Sequence, residues 1–385
     1  MRSKKIFSFA VFLFSLLMVS PLYGAEPIKI GTTYMITGYG SITGEPYRRV
    51  TVMIQEDLDK TGFQIGGRPV KFLIDDDESD PTKTFIAIKR QVEVEKVIAL
   101  VGLGSTAGAM SSMKFILQSE TPALGFVGGT VVVSPANERK WVFKTPYGSD
   151  IGVEKIFEYM KKKGITKVGS LVQAGGFGNE GREQILKLAP KFGIEVKADE
   201  RFAPKDNDMT VQLTKIKASG AEAVICWTVG PQASIVAKNH KQLGLTIPLF
   251  QSHGVPDPEY IKLAGASADD SIMPGGRVLV VDHLSANDPK KVLLKEFIAK
   301  YEARWGKDSM SVHAPYAYDG ILMLVEALKK VGPDKTKIRD YIENLKNFNG
   351  TTGTFNFSPD DHNGLKKEDM VLLKVKDGKW VIEAF

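Results

Sequence analysis

Two glycine clusters stand where phosphate chemistry would place them. Gly176-Phe177-Gly178-Asn179-Glu180-Gly181 satisfies G-x-G-x-x-G, follows an apolar stretch that reads as a strand, opens a helical pattern, and has Asp199 and Glu200 about 20 residues on. Taken alone this is a dinucleotide fingerprint; its plainer reading is a tight strand-to-helix turn. Gly102-Leu103-Gly104-Ser105-Thr106 is a second such turn, baring backbone N–H groups at a helix N-terminus, where an anion of any kind is stabilised. No P-loop Lys follows it, which disfavours ATP.

Catalytic and metal-binding patterns are thin. His240, His253, His283, His313 and His362 have neither H-E-x-x-H nor another ligand spacing, and each reads as structural or surface, so no metal is expected. Asp75, Asp76, Asp77 and Glu78 lack the glycine and distal Glu of a calcium loop and read as a solvated edge. No G-x-S-x-G elbow frames Ser119 or Ser134. The single Cys226 excludes an intramolecular disulfide and leaves too few thiols for a Cys-rich metal site. Enzyme activity and a cofactor are therefore not expected.

The elements that would position these residues come from a chain of 385 residues, 43% hydrophobic and 25% charged, long enough for two domains that each bury a core. Arg2, Lys4 and Lys5 precede an apolar run over 6–19, then Ser20, Pro21, Gly24 and Ala25, the order of a secretory signal peptide cleaved near Gly24. About 14 apolar residues fall short of the roughly 20 that span a bilayer. Without a Cys near the cleavage region, no lipid anchor is expected, and a soluble exported protein is expected, in a compartment where nicotinamide cofactors are scarce. Loss of three basic residues takes the net charge from +6 to about +3, with both signs mixed along the chain, so nucleic-acid binding has no electrostatic footprint.

Strand and helix patterns then alternate. Strands are expected over 28–34, 70–74, 97–101 and 122–127, with helices over 47–60, after Asp80-Pro81 and over 106–117, which implies a first parallel sheet. A second run places strands over 167–172, 194–201, 223–228, 247–251 and 272–281 among helices after Asp150, over 180–191, 209–218, 232–243 and 258–264. Helical patterns follow over 290–304, 313–330 and 335–344, and antiparallel strands over 352–357, 370–375 and 380–384.

Taken in order, Ile28-Lys29-Ile30-Gly31, Thr37-Gly38, Gly66-Gly67-Arg68, Asp75 to Pro81, Val101-Gly102 with Ser105-Thr106, Thr121 to Leu124, Phe177-Gly178, Ala317-Tyr318-Asp319-Gly320 and Gly350 to Phe355 resemble the branched-chain amino-acid-type (leucine/isoleucine/valine-binding-protein-like) solute-binding proteins of ABC transporters. No one motif is specific, but their joint order covers essentially the whole mature chain. The resemblance implies an α/β type I periplasmic-binding-protein fold: two doubly wound parallel-sheet lobes joined by three crossovers, near 144–147, 275–279 and 348–353. The expected lobes are 25–145 plus about 279–349, and 146–278 plus about 350–385, after a signal peptide over 1–24. A ligand would be clamped between them and delivered, by a monomer, to a membrane permease with its ATPase subunits. An exported ligand-sensing module shares this fold.

The resemblance places the ligand carboxylate on Ser105 or Thr106, on backbone amides near Gly128, and on Thr130, and an aromatic from the second lobe at Phe177. Tyr39 and Thr228 also fall at strand ends that face a cleft in such folds. Amino-acid-binding members carry an acidic residue after the strand matching 247–251; this chain has Gln251, Ser252, His253 and Gly254. A buried ammonium without a counter-charge costs several kcal/mol. The loop therefore favours an aromatic or otherwise apolar carboxylic acid, with His253 donating to an oxygen and Tyr39, Tyr47, Phe126, Phe177 and Trp227 forming an aromatic slot. A branched-chain or other neutral amino acid is the alternative.

Overall fold

The computed structural model describes residues 25–383; the signal peptide expected over 1–24 lies outside them. Six strands, Ile28–Tyr34 (β1), Gln64–Ile65 (β2), Arg68–Asp76 (β3), Ala99–Gly102 (β4), Ala123–Gly125 (β5) and Val142–Lys144 (β6), form one sheet in the order β2-β3-β1-β4-β5-β6. All neighbours are parallel except the β2–β3 hairpin. β4 and β5 are buried at every residue, as a strand covered on both faces must be.

The second sheet contains Lys167–Gln173 (β7), Glu195–Phe202 (β8), Ala223–Trp227 (β9), Leu249–Gln251 (β10) and Ile272–Gly275 (β11). After a small ribbon of Phe348–Asn349 (β12) and Thr354–Phe355 (β13), Val371–Lys376 (β14) and Lys379–Ile382 (β15) join it, giving the order β15-β14-β11-β10-β9-β7-β8. The strands β8-β7-β9-β10-β11 are parallel, and the two tail strands add antiparallel.

Helices Ser41–Lys60 (α1), Pro81–Glu93 (α2) and Thr106–Gln118 (α3) cover the first sheet, and Ser149–Lys163 (α4), Gly176–Leu188 (α5), Thr210–Ala218 (α6), Gln232–Gln242 (α7) and Pro258–Ala264 (α8) the second. Lys291–Trp305 (α9), His313–Val331 (α10) and Lys335–Glu343 (α11) return to the first, where Phe297, Leu324 and Ile338 share a core with Ile28, Val50 and Phe143. Local chemistry sets several starts. Asp80 accepts the N–H groups of Thr82 and Lys83, with Pro81 at the first helical position of α2.

Two expectations are corrected. The helix expected over 47–60 begins at Ser41 and runs through Pro46. The strand expected over 272–281 stops at Gly275, and Arg277–His283 forms 3₁₀ turns broken by a kink at Val280 as the chain passes between the lobes. Its alternation misleads because it serves two cores: Val278 and Val281 pack into the first and Val280 into the second.

The chain passes between the sheets three times, after β6, after β11 and before β14. The crossings are bonded together: Tyr147 Oη donates to the Thr352 carbonyl (2.7 Å) and the Asp369 carbonyl (2.9 Å). Asp319 on α10, fully buried, accepts Thr351 N–H, Thr351 O–H and Thr352 N–H at 2.7, 2.8 and 2.7 Å. No helix among the described residues is long and apolar enough to cross a membrane.

Candidate functional site

Each parallel sheet reverses its winding once. The first turns at β1 and β4, the second at β7 and β9, and a ligand crevice opens beyond the carboxyl ends of strands at such a point. Both crevices face each other here. They merge into one cleft, lined from the first lobe by Met35, Tyr39, Ser105, Thr106, Phe126 and Gly128, and from the second by Gln173, Phe177, Val229 and His253.

At the end of β4, Gly102, Leu103 and Gly104 are all left-handed, with φ of 92°, 67° and 64°. Leu103 is held in that costly conformation with its side chain buried. The turn delivers Ser105 as the N-cap of α3, where Oγ accepts Gly108 N–H at 3.0 Å. Thr106 Oγ1 accepts Gly129 N–H at 3.2 Å. Each hydroxyl thus acts as acceptor within the protein and keeps its proton to donate, beside the positive end of a 13-residue helix. Two hydroxyl donors at a helix N-terminus suit an anionic oxygen.

The acidic run expected to be a solvated edge is instead a brace for the rim. Asp76 accepts Ile36 N–H, Thr37 N–H and Thr37 O–H (3.0, 3.2 and 2.7 Å), and these bonds hold its carboxyl below the usual range despite partial desolvation. Asp77 is buried, accepts Ser79 N–H and Thr84 O–H, and packs against Gly104, where a Cβ would lie 2.0 Å from its Oδ2.

The opposite wall is aromatic and neutral. Phe177, opening α5, stands edge-on to His253 (centroids 5.3 Å apart, 80°), and Trp227 lies behind both at 5.9 and 5.5 Å. His253 fits between two glycines: a Cβ on Gly128 would come within 2.8 Å of Nε2, and one on Gly152 within 3.0 Å of Nδ1. From α10, His313 and Tyr316 complete the cleft beside Tyr47. Burial lowers His253 to about 3, helped by the nearby Lys144 charge, and His313 to about 4. Both rings are neutral, and among the described residues no lining side chain carries a charge.

Charge lies behind the wall. The buried Lys144 ammonium donates to the Gly128 carbonyl (3.1 Å) and the Tyr147 carbonyl (3.0 Å), and burial lowers it to about 8. Thr130 joins the lobes there: its N–H donates to Glu180 Oε1 (3.2 Å) and its hydroxyl to Asp150 Oδ1 (2.7 Å).

Of the residues expected at the site, Tyr39, Ser105, Thr106, Gly128, Phe177 and His253 line the cleft. Thr130 and Thr228 do not; Thr228 is buried, its hydroxyl donating to the Val229 carbonyl and its own carbonyl accepting from Ser252. Trp227, expected in the aromatic slot, is fully buried behind it. His313, expected to be structural or surface, lines the cleft, and Tyr316 and Gln173 join it without having been expected. The G-x-G-x-x-G glycines serve close packing: a Cβ on Gly181 would lie 2.1 Å from Trp227 and one on Gly176 2.6 Å from Ala107 of the other lobe.

Two α/β lobes closing an uncharged cleft between their strand ends define a two-lobed solute receptor. The family model described as periplasmic binding protein matches residues 27–379, and the chain belongs to that family. An amino acid binding protein of Pseudomonas aeruginosa is 25% identical over 306 residues, covering 72% of this chain and 78% of its own. An extracellular ligand-binding receptor from Rhodopseudomonas palustris HaA2 superposes with a TM-score of 0.85 at 28% identity, over 93% of this chain and 99% of its own. A solute binding protein of an ABC transporter from Rhodopseudomonas palustris BisB5, in complex with 3,4-dihydroxy benzoic acid, superposes at 0.78 with 20% identity, over 93% and 96%.

Proposed function

We propose that this protein is the exported solute-binding component of an ABC uptake transporter and that its ligand is an amine-free aromatic or otherwise apolar carboxylic acid. The observation that carries the ligand class is the charge of the lining. An α-ammonium closed inside would meet only neutral groups, at a cost of several kcal/mol, because Asp150 and Glu180 bond Thr130 outside the cleft. A carboxylate finds the protons of Ser105 and Thr106 and the head of α3, while Tyr39, Tyr47, Phe126 and Phe177 offer ring surface. The closed pair of lobes would then be presented to a membrane permease with its ATPase subunits.

A neutral amino acid is the second reading, favoured by the name of the Pseudomonas relative. Thermal unfolding of the mature protein decides between them. At a hundredfold excess over Kd a ligand of the native state adds about 2.7 kcal/mol, a rise of a few degrees in a chain of this size. The expected result is a rise with benzoates, phenylacetates or cinnamates and none with leucine, isoleucine, valine or phenylalanine. A rise with the amino acids alone overturns the proposal.

A further inference from the structure

Four buried polar side chains that line the cleft have no partner at hydrogen-bonding distance and angle among the described residues: both nitrogens of His253, both of His313, the Tyr316 hydroxyl and Gln173 Nε2 are open. The backbone of Tyr147 leans toward His253 and that of Gly254 toward His313, without offsetting burial. His313 and Tyr316 sit one turn apart on α10, at 3% and 2% exposure, with ring centroids 6.1 Å apart and no bond between them. Buried polar groups in folded proteins are almost always satisfied, so an orphaned pair facing a ligand cavity describes a partner that the ligand brings.

Resting on the reading of the ligand as an amine-free aromatic carboxylate, we propose that its ring carries a hydroxyl, bound by His313 and Tyr316 at the end of the cleft away from Ser105 and Thr106. The contacts between these ends run from Thr106 to Gly129, through Gly128 to Phe177 and His253, and on by Gly254 to His313. A neutral imidazole has one donor and one acceptor nitrogen, and a phenol both donates and accepts. A ligand hydroxyl satisfies both partners at once: it gives its proton to the free nitrogen of His313 and accepts from Tyr316. A second carboxylate would need a buried cation, an ammonium a buried anion, and neither lines the cleft. A methyl group would leave the pair orphaned.

The test is calorimetry with matched acids: 4-hydroxy against 4-methyl benzoate, phenylacetate and cinnamate, with terephthalate added. In at least one pair the hydroxy acid should bind more tightly by about tenfold or more, the worth of one net hydrogen bond. Tyr316→Phe keeps the ring and removes the hydroxyl. The hydroxy-to-methyl affinity ratio should fall by about tenfold in it, and the ligand-free variant should unfold no earlier than the wild type. His313→Gln should lower the same ratio. Equal or tighter binding of the methyl acids, tightest binding of terephthalate, or a ratio unmoved by both substitutions overturns the inference while leaving the aromatic-acid reading standing. Binding of amino acids with every aromatic acid inert removes both.

Discussion

The cleft's two histidines have abandoned the property for which histidine is usually placed in a binding site. An imidazole free in the chain titrates near 6.5, but burial holds His253 at about 3 and His313 at about 4, so each is an uncharged donor–acceptor from pH 5 upward. Linkage fixes the sign. Below pH 6.5 the unfolded chain takes up a proton at each of these positions and the folded chain does not, so their contribution is full above 6.5 and is lost as pH falls below it. Glu180 and Asp257, both raised to about 6 by burial, act in the opposite sense over much of the same window. The test must therefore compare variants. Between pH 7 and pH 5, wild type should lose about 2 kcal/mol of unfolding free energy more than His253→Gln. Equal slopes would mean that His253 protonates in the folded state as readily as in the unfolded one.

At the scale of elements, the head of α3 combines two roles that substitution can separate. Ser105→Ala removes the cap and a ligand donor together, so unfolding free energy should fall by about 1 kcal/mol and affinity for an aromatic acid by about tenfold or more. Ser105→Asp keeps a good cap but sets a carboxylate against the ligand's own; its stability should stay near wild type while binding is abolished. If the Asp variant binds as tightly as wild type, the ligand carboxylate lies elsewhere. This head was legible in the sequence because its signal is local: a glycine-rich strand end followed by a capping serine. So was the alternation of parallel strands and helices, since each βα unit shows its own periodicity. His253 was legible from its place in the loop after β10. His313 and Tyr316 were not, because α10 is buried on nearly all sides and no short-range pattern marks which face meets the cleft; only the return of α10 to the first sheet sets it there. Thr130 was misplaced for a related reason: it stands near the carboxylate wall in sequence, yet its N–H and hydroxyl turn to the other lobe. The Asp319 and Gly350-to-Thr352 segments, read separately as motifs, turn out to be one device, a carboxylate receiving three donors from Thr351 and Thr352.

For the molecule as a whole, the proposed function rests on closing two lobes over a ligand, and under that proposal a residue can contribute without touching the ligand. Thr130 is such a residue. In the structure its hydroxyl reaches Asp150 and its N–H reaches Glu180, as Gly128 meets Phe177 and Gly176 meets Ala107, and parting of the lobes would break these contacts. Contacts present only in the closed state lower its free energy relative to the open one, and the measured affinity for any ligand contains that difference. Thr130→Val keeps the branched shape and removes the donor to a carboxylate, a bond of about 1.5–3 kcal/mol. Its Kd should therefore rise by about tenfold or more, and by the same factor for every ligand. Small-angle scattering at a fixed ligand concentration near the wild-type Kd should show a larger mean radius of gyration in the variant. The uniform factor is the discriminating feature. His253→Gln or a change at Phe177 alters contacts with the bound molecule and should reorder a series of ligands, whereas a closure contact shifts the series as a block. A Thr130→Val variant that weakens some acids and spares others would place its hydroxyl on the ligand instead of on Asp150.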